Sequence, residues 1–190
     1  MLRLIINLVA FQIGWLASVL GGAWGLPWLG VGVVALVVAW HLRLSAAPAR
    51  EGLLLLLIGT LGAFWDGLLV RFGFLDYPSG MLLPWLAPVW IIAMWVAFAT
   101  TLNVSLAWLK GRWYLAILFG AIGGPLAYYA GHQLGGVSFP DAFVGLAVVA
   151  GGWSFLMPLC AAIAQRLDGA GFPATPVAAS APFVEEGARV

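Results

Sequence analysis

The sequence predicts an all-α integral membrane bundle of six transmembrane helices with both ends in the cytoplasm. Three observations carry this. Six apolar stretches have the length of a membrane span or nearly so. Charge is scarce: of 190 residues 64% are hydrophobic and 8% charged, where a soluble domain carries about a quarter charged. The basic residues fall almost entirely on alternate connections. So few charges cannot wet a soluble globule, but they suffice where lipid covers most of the surface.

A helix needs about 20 apolar residues to cross about 30 Å of hydrocarbon. The first candidate span is 4–21, read as an anchor rather than a cleaved leader because it runs straight into further spans. The second, 26–42, is the shortest and opens at Pro27, a favourable first-turn residue. The third is 52–72. The fourth is 83–102, with helix expected to continue toward residue 109. The fifth is 114–131 and the sixth 142–164. A barrel would need short alternating segments, which are absent. With the N-terminus inside, Arg3, Arg43, Arg50, Lys110, Arg112, Arg166 and Arg189 lie in the cytoplasm, and Arg71 alone lies outside. Residues 1–167 form one six-helix transmembrane domain, and 168–190, rich in Ala, Pro and Gly, read as a flexible cytoplasmic tail.

The eleven tryptophans divide by depth. Trp24, Trp28 and Trp85 fall at the outer boundary, and Trp40, Trp108 and Trp113 at the inner one, as in an aromatic belt. Trp15, Trp65, Trp90, Trp95 and Trp153 fall deeper, where each indole N–H needs an acceptor.

Asp66 is the leading polar candidate. Intramembrane carboxylates are costly and face partners or water. It reads either as a proton- or ligand-handling group or as a structural acid that snorkels or pairs with Arg71 near the outer surface. The five-residue spacing turns Arg71 about 140° away, so that pairing requires the helix to end there. In the fourth span Thr100 and Asn103 share one face, and Thr101, Ser105 and Trp108 another. These read as interhelical hydrogen-bonding groups, or Asn103 lines a pocket open to the cytoplasm, where Asn7 and Gln12 are placed to meet it. In the fifth span Pro125 is expected to kink the helix, amid glycines that allow close packing. Tyr128 and His132 share a face and, with Asp66, Arg71, Asp76 and Asp141, suggest an outer polar cluster.

Other chemistries are excluded. No HExxH, GxSxG, Walker loop or GxGxxG unit is present. The single cysteine, Cys160, cannot build a CxxC site. By the predicted topology His41 and His132 lie on opposite sides of the membrane. No metal, catalytic residue or cofactor is assigned, and no basic patch suits nucleic acid.

Asn7 and Trp15, Trp65-Asp66-Gly67, the 98–109 stretch and Gly124-Pro125-Leu126-Ala127-Tyr128 together resemble a family of bacterial inner-membrane proteins, domain of unknown function 2878. The resemblance covers about residues 1–167. It implies an uncharacterised multi-pass protein of the bacterial inner membrane with a lipid-related role, and assigns no site.

The leading expectation is a non-enzymatic membrane protein. It binds a hydrophobic or amphipathic small molecule through Asp66, Asn103, Tyr128, His132, Arg71, Trp65, Trp95 or Asn7, or assists a lipid-modifying partner. Its partners are membrane lipids and a further membrane protein. The rivals are a small transporter or channel using Asp66, and an intramembrane enzyme with Asp66, Tyr128 or His132 as acid or base.

Overall fold

The computed structural model describes residues 1–171. Six α-helices follow one another: α1 Leu2–Ala23, α2 Pro27–Leu44, α3 Pro48–Arg71, α4 Val89–Leu102, α5 Trp113–Gln133 and α6 Ala142–Arg166. Among the described residues there is no strand, only an isolated bridge between Asp76 and Ser138. Five helices are long and apolar enough to cross a membrane. The sixth, α4, has 14 residues, about 21 Å at 1.5 Å per residue.

The start of α4 differs from the expected span at 83–102. Residues 83–88 are irregular, and the helix begins only after Pro88, whose ψ of 150° is extended. The residue before a proline is pushed out of the helical region, so the Pro84 and Pro88 pair delays the helix. Nor does helix continue to residue 109. It stops at Leu102, and a turn leads into one 3₁₀ turn, Ala107–Leu109. This short helix is the centre of the bundle, packed on α1, α2, α3 and α6. The non-helical backbone after Leu102 is enclosed in protein, with Asn103 and Val104 buried, the setting in which such backbone is tolerated at membrane depth, whereas residues 81–85 before the helix are exposed. α5 runs unbroken through Pro125.

Two sub-assemblies result. α1 to α4 form a four-helix unit, and α5 with α6 form a hairpin that meets it mainly through side chains. Glycines decide how close each approach is. A Cβ on Gly30 would lie 2.4 Å from the Cα of Ser18, so α1 and α2 touch backbone to backbone. Elsewhere the glycine makes room for an indole: Trp95 lies on Gly62, Trp65 on Gly152, and Trp153 on Gly124. Trp95 and Trp153 stack at 4.8 Å with planes 14° apart, with Phe98 edge-on to both. Flat rings thus fill the seam between the two sub-assemblies.

The six boundary tryptophans are all exposed, whereas Trp90 and Trp95 are buried and Trp15, Trp65 and Trp153 partly so. The bundle also has one basic end, where Arg3 donates to the carbonyl of Leu44 and Lys110 pairs with Asp168. Arg43, Arg50, Arg112 and Arg166 flank the same ends of their helices, and Arg71 closes the opposite end of α3.

Gly62→Val would drive a side chain into the Trp95 ring, whose Cγ lies 2.0 Å from where a Cβ would sit. The expected loss is about 1–3 kcal/mol, read as a lower midpoint of thermal unfolding in detergent. Gly32→Ala, with nothing within 4 Å of its added carbon, should leave that midpoint unchanged or raise it.

Candidate functional site

Asp66 is fully enclosed. Its Oδ1 accepts from the hydroxyls of Tyr77 at 2.5 Å and Tyr128 at 2.7 Å, and its Oδ2 accepts from Trp95 Nε1 at 2.6 Å. The donors come from three places: the loop after α3, the middle of α4 and the second half of α5. Burial, and then the Asp66 carboxylate, push the Tyr77 phenol well above its ordinary range, which keeps it a donor. The indole nitrogens of Trp65 and Trp153 approach the Tyr128 hydroxyl without reaching hydrogen-bonding geometry, and both are buried without a partner.

The outer cluster expected around Asp66 does not assemble. Of its members only Tyr128 reaches the carboxylate. Arg71 is exposed and turned away, as the helical spacing requires. His132 lies with Nδ1 2.9 Å from the carbonyl of Val137, so Nδ1 carries the hydrogen and pins the turn after α5. Asp76 bridges to Ser138 through its backbone, and Asp141 caps α6 by accepting from the Val144 amide. Each closes a loop locally.

A second buried carboxylate lies about 22 Å along α3 from the first. Glu51 accepts from Asn103 Nδ2 at 2.7 Å and from the Gly169 amide at 2.8 Å, and His41 Nε2 is 2.9 Å from its other oxygen. Asn103 therefore does not meet Asn7. Asn7 donates to the Thr100 carbonyl at 3.1 Å and accepts from the Ser105 hydroxyl at 2.8 Å, and Gln12 is exposed. Residues 168–171, assigned to the tail, dock here. The Ala47 amide donates to Gly169, Lys110 pairs with Asp168 at 2.7 Å, and Ala170 is buried. The rest of that tail, 172–190, lies outside the described residues.

Between α1 and α5, which make almost no contact, lies a slot of about 230 Å³. Its back wall is α4 with Trp95 and Phe98, its side is Trp153, and its far wall is the small-residue face of α5. Wall residues from Phe119 to Gly131 extend about 18 Å along that helix. The lining is almost wholly apolar. Tyr128 and Trp95 join it to Asp66, while Thr101 and Ser105 mark its other end. The structure thus places Asp66, Trp95 and Tyr128 together beside the slot, Trp65 behind them, and Asn7 near its far end. Asn103 belongs to the Glu51 cluster, and His132 and Arg71 to loops and surface.

Tyr77 and Glu51 were not singled out in the sequence. Tyr77 follows an exposed-looking Asp76 in a loop, and nothing local shows that the loop folds back. Glu51 reads as an ordinary first-turn acid at a helix N-terminus. Its signal is the short α2–α3 turn, which sets His41 and Glu51 on either side of one hairpin.

Among the described residues no group of three His, Cys, Asp or Glu side chains could hold a metal. A family model described as a protein of unknown function, DUF2878, matches residues 4–159, and the chain belongs to that family. No curated protein and no solved structure matches the chain.

Asp66→Leu strands three buried donors and should cost about 3 kcal/mol or more, at about 1–3 kcal/mol for each. Asp66→Asn should cost less than half as much: its oxygen can keep Trp95, which only donates, while its amide turns to the tyrosines, which can accept. Unfolding midpoints of the two variants in one detergent make the comparison. At the other end, Ala170→Cys should resist a water-soluble maleimide, and adding Glu51→Ala should expose it; equal labelling in both would mean Glu51 does not hold this segment.

Proposed function

We propose that this member of the DUF2878 family is a multi-pass membrane protein that takes a hydrophobic or amphipathic small molecule from the bilayer into the slot between α1 and α5. The observation that carries this is the slot itself. It lies between two helices that do not close on each other, and it is lined by deep aromatic rings. Clustered aromatic surface with few polar groups is the ordinary character of a small-molecule site. A gap between two lipid-facing helices gives a lipophilic molecule lateral access without passage through water.

In the bilayer we place six spans with both ends inside, α4 being a short central helix shielded by its neighbours. The basic end then faces the cytoplasm, as positively charged connections do in inner-membrane proteins. The apolar lining favours a lipophilic ligand over a hydrated transported solute. The three donors on Asp66 favour a structural carboxylate over one that exchanges protons with a substrate. A lipid-modifying partner remains compatible as a recipient of the bound molecule.

Two adjacent glycines separate occupancy from folding. A Cβ on Gly123 would meet only the Phe119 ring, at 3.8 Å, whereas one on Gly124 would strike Trp153 at 2.5 Å. Gly123→Leu should fill the slot and abolish labelling by a photocrosslinkable lipid analogue while thermal stability is kept. Gly124→Leu should lose stability as well. Labelling of the wild type no stronger than that of an unrelated six-span protein would remove the reading.

A further inference from the structure

The two ends of the slot differ. At the end opposite the basic one its lining is Val19, Trp90, Ile91, Tyr128 and Val137, each no more than 8% exposed. The turn after α5 closes that end. A Cβ on Gly136 would lie 2.9 Å from Val19 Cγ1 and 3.2 Å from the Val19 carbonyl oxygen, so the turn lies directly on α1. The turn is itself held by the contact of His132 with the Val137 carbonyl and by the backbone bridge between Ser138 and Asp76. At the other end the walls are Leu8 and Phe119, 50% and 40% exposed, next to the first turn of α5, which Arg112 precedes. The slot is therefore blind at one end and open at the basic end. It is also small. Its volume of about 230 Å³ falls below the roughly 300–1,000 Å³ of a site that encloses a whole small ligand. It holds about eight methylene-sized groups, at about 30 Å³ each, the share of one water in the liquid. That space is drawn out along about 18 Å of α5.

Resting on the slot as the binding site, we infer that its occupant is the distal part of one unbranched acyl chain of a bilayer phospholipid, inserted with its methyl end toward Val137 and its head left in the leaflet at the basic end. A long, narrow space of this volume takes one chain; a second chain or a fused-ring body is too wide for it. The head stays outside because the lining is almost wholly apolar and no Lys, Arg or His is part of it, so a phosphate drawn inside would lose its water without a counter-charge. The open end sets the orientation. A head there lies among headgroups on the side of the exposed Arg112, where basic residues attract anionic lipid. By the topology proposed above that is the cytoplasmic leaflet. A chain from the other leaflet would meet the turn that lies on α1. Gly120, Gly123, Gly124 and Ala127 form the wall on α5, and such small side chains let a methylene chain come against the backbone, where its dispersion contacts are closest. A phospholipid suits the arrangement because the slot takes only part of a chain, and the remainder never has to leave the bilayer.

The test uses the full chain in phospholipid nanodiscs that carry a trace of photoreactive lipid. Two phospholipid probes hold a diazirine in one chain, either near the methyl end or near the ester, and a third probe holds it on a sterol body. Labelled residues are mapped by mass spectrometry after irradiation. The methyl-end probe should mark Ile91, Tyr128 or Val137, the ester-end probe should mark Leu8 or Phe119, and the sterol probe should leave these residues unmarked. Gly131→Leu places a side chain at the blind end, where the added Cβ meets the Val137 side chain at 3.6 Å, an ordinary contact. It should weaken methyl-end labelling about tenfold, the worth of about two buried methylenes, while the unfolding midpoint and the labelling of Leu8 and Phe119 stay as they are. If that variant does not fold, the wild-type maps decide alone. Exchange of the two maps, or a sterol probe that marks the slot as heavily as the acyl probes, overturns the chain and its orientation while leaving the slot reading intact. Absence of label on every lining residue with all three probes overturns both.

Discussion

The structure depends on one carboxylate held in an apolar interior. Asp66 joins α3 to α4 through Trp95, to the outer loop through Tyr77, and to α5 through Tyr128. A buried charge persists only where hydrogen bonds replace the lost water, so all three contacts must form together. That requirement sets the height of α5 against α3, and it is the buried side-chain tie between α5 and the four-helix unit, beside the Asp76–Ser138 loop bridge. The surrounding indoles lie on glycine backbone at Gly62, Gly124 and Gly152, which gives these rings defined seats. Charge fixes the register, and the flat rings fix the separation.

The Glu51 cluster repeats this logic at the basic end, where it gathers His41, Asn103 and the segment after α6. Two polar knots at opposite ends of one helix leave the space between α1 and α5 with no polar tie. In water an apolar gap of that kind would collapse or be penalised. In a bilayer it would not, because lipid tails are as apolar as leucine and no hydrophobic force drives the helices together. A protein pinned at its ends by hydrogen bonds and surrounded by acyl chains can therefore keep an apolar slot open along its side.

Much of this was legible in the sequence where the signal is local. Helix positions follow from apolar length, and five of the six lie within a few residues of the expected segments. The division of tryptophans into boundary and deep groups follows from their distance to the span ends, and the exposures of Trp24 and Trp113 against those of Trp90 and Trp95 follow the same division. Asp66 stood out because an acid amid apolar residues has few explanations. What the sequence could not show is long-range. Tyr77 reaches Asp66 only because the outer loop folds inward, and Gly169 reaches Glu51 from the far end of the chain. The clustering of Asp66 with His132 and Arg71 failed for a geometric reason. Equal depth does not bring groups together; the helical face decides, and His132 had a nearer acceptor in Val137.

An acid inside a membrane is usually read as the group that acts. Here its geometry gives it a different influence on the slot. By drawing the hydroxyl hydrogens of Tyr77 and Tyr128 and the indole hydrogen of Trp95 onto itself, Asp66 removes three donors from the chemistry that the slot can offer. Both phenol hydrogens and the Trp95 indole hydrogen are turned inward, and the lining that remains is almost wholly apolar. The carboxylate thus sets the slot's polarity without touching what the slot holds: its charge is spent inside the protein, and the surface it leaves behind is neutral.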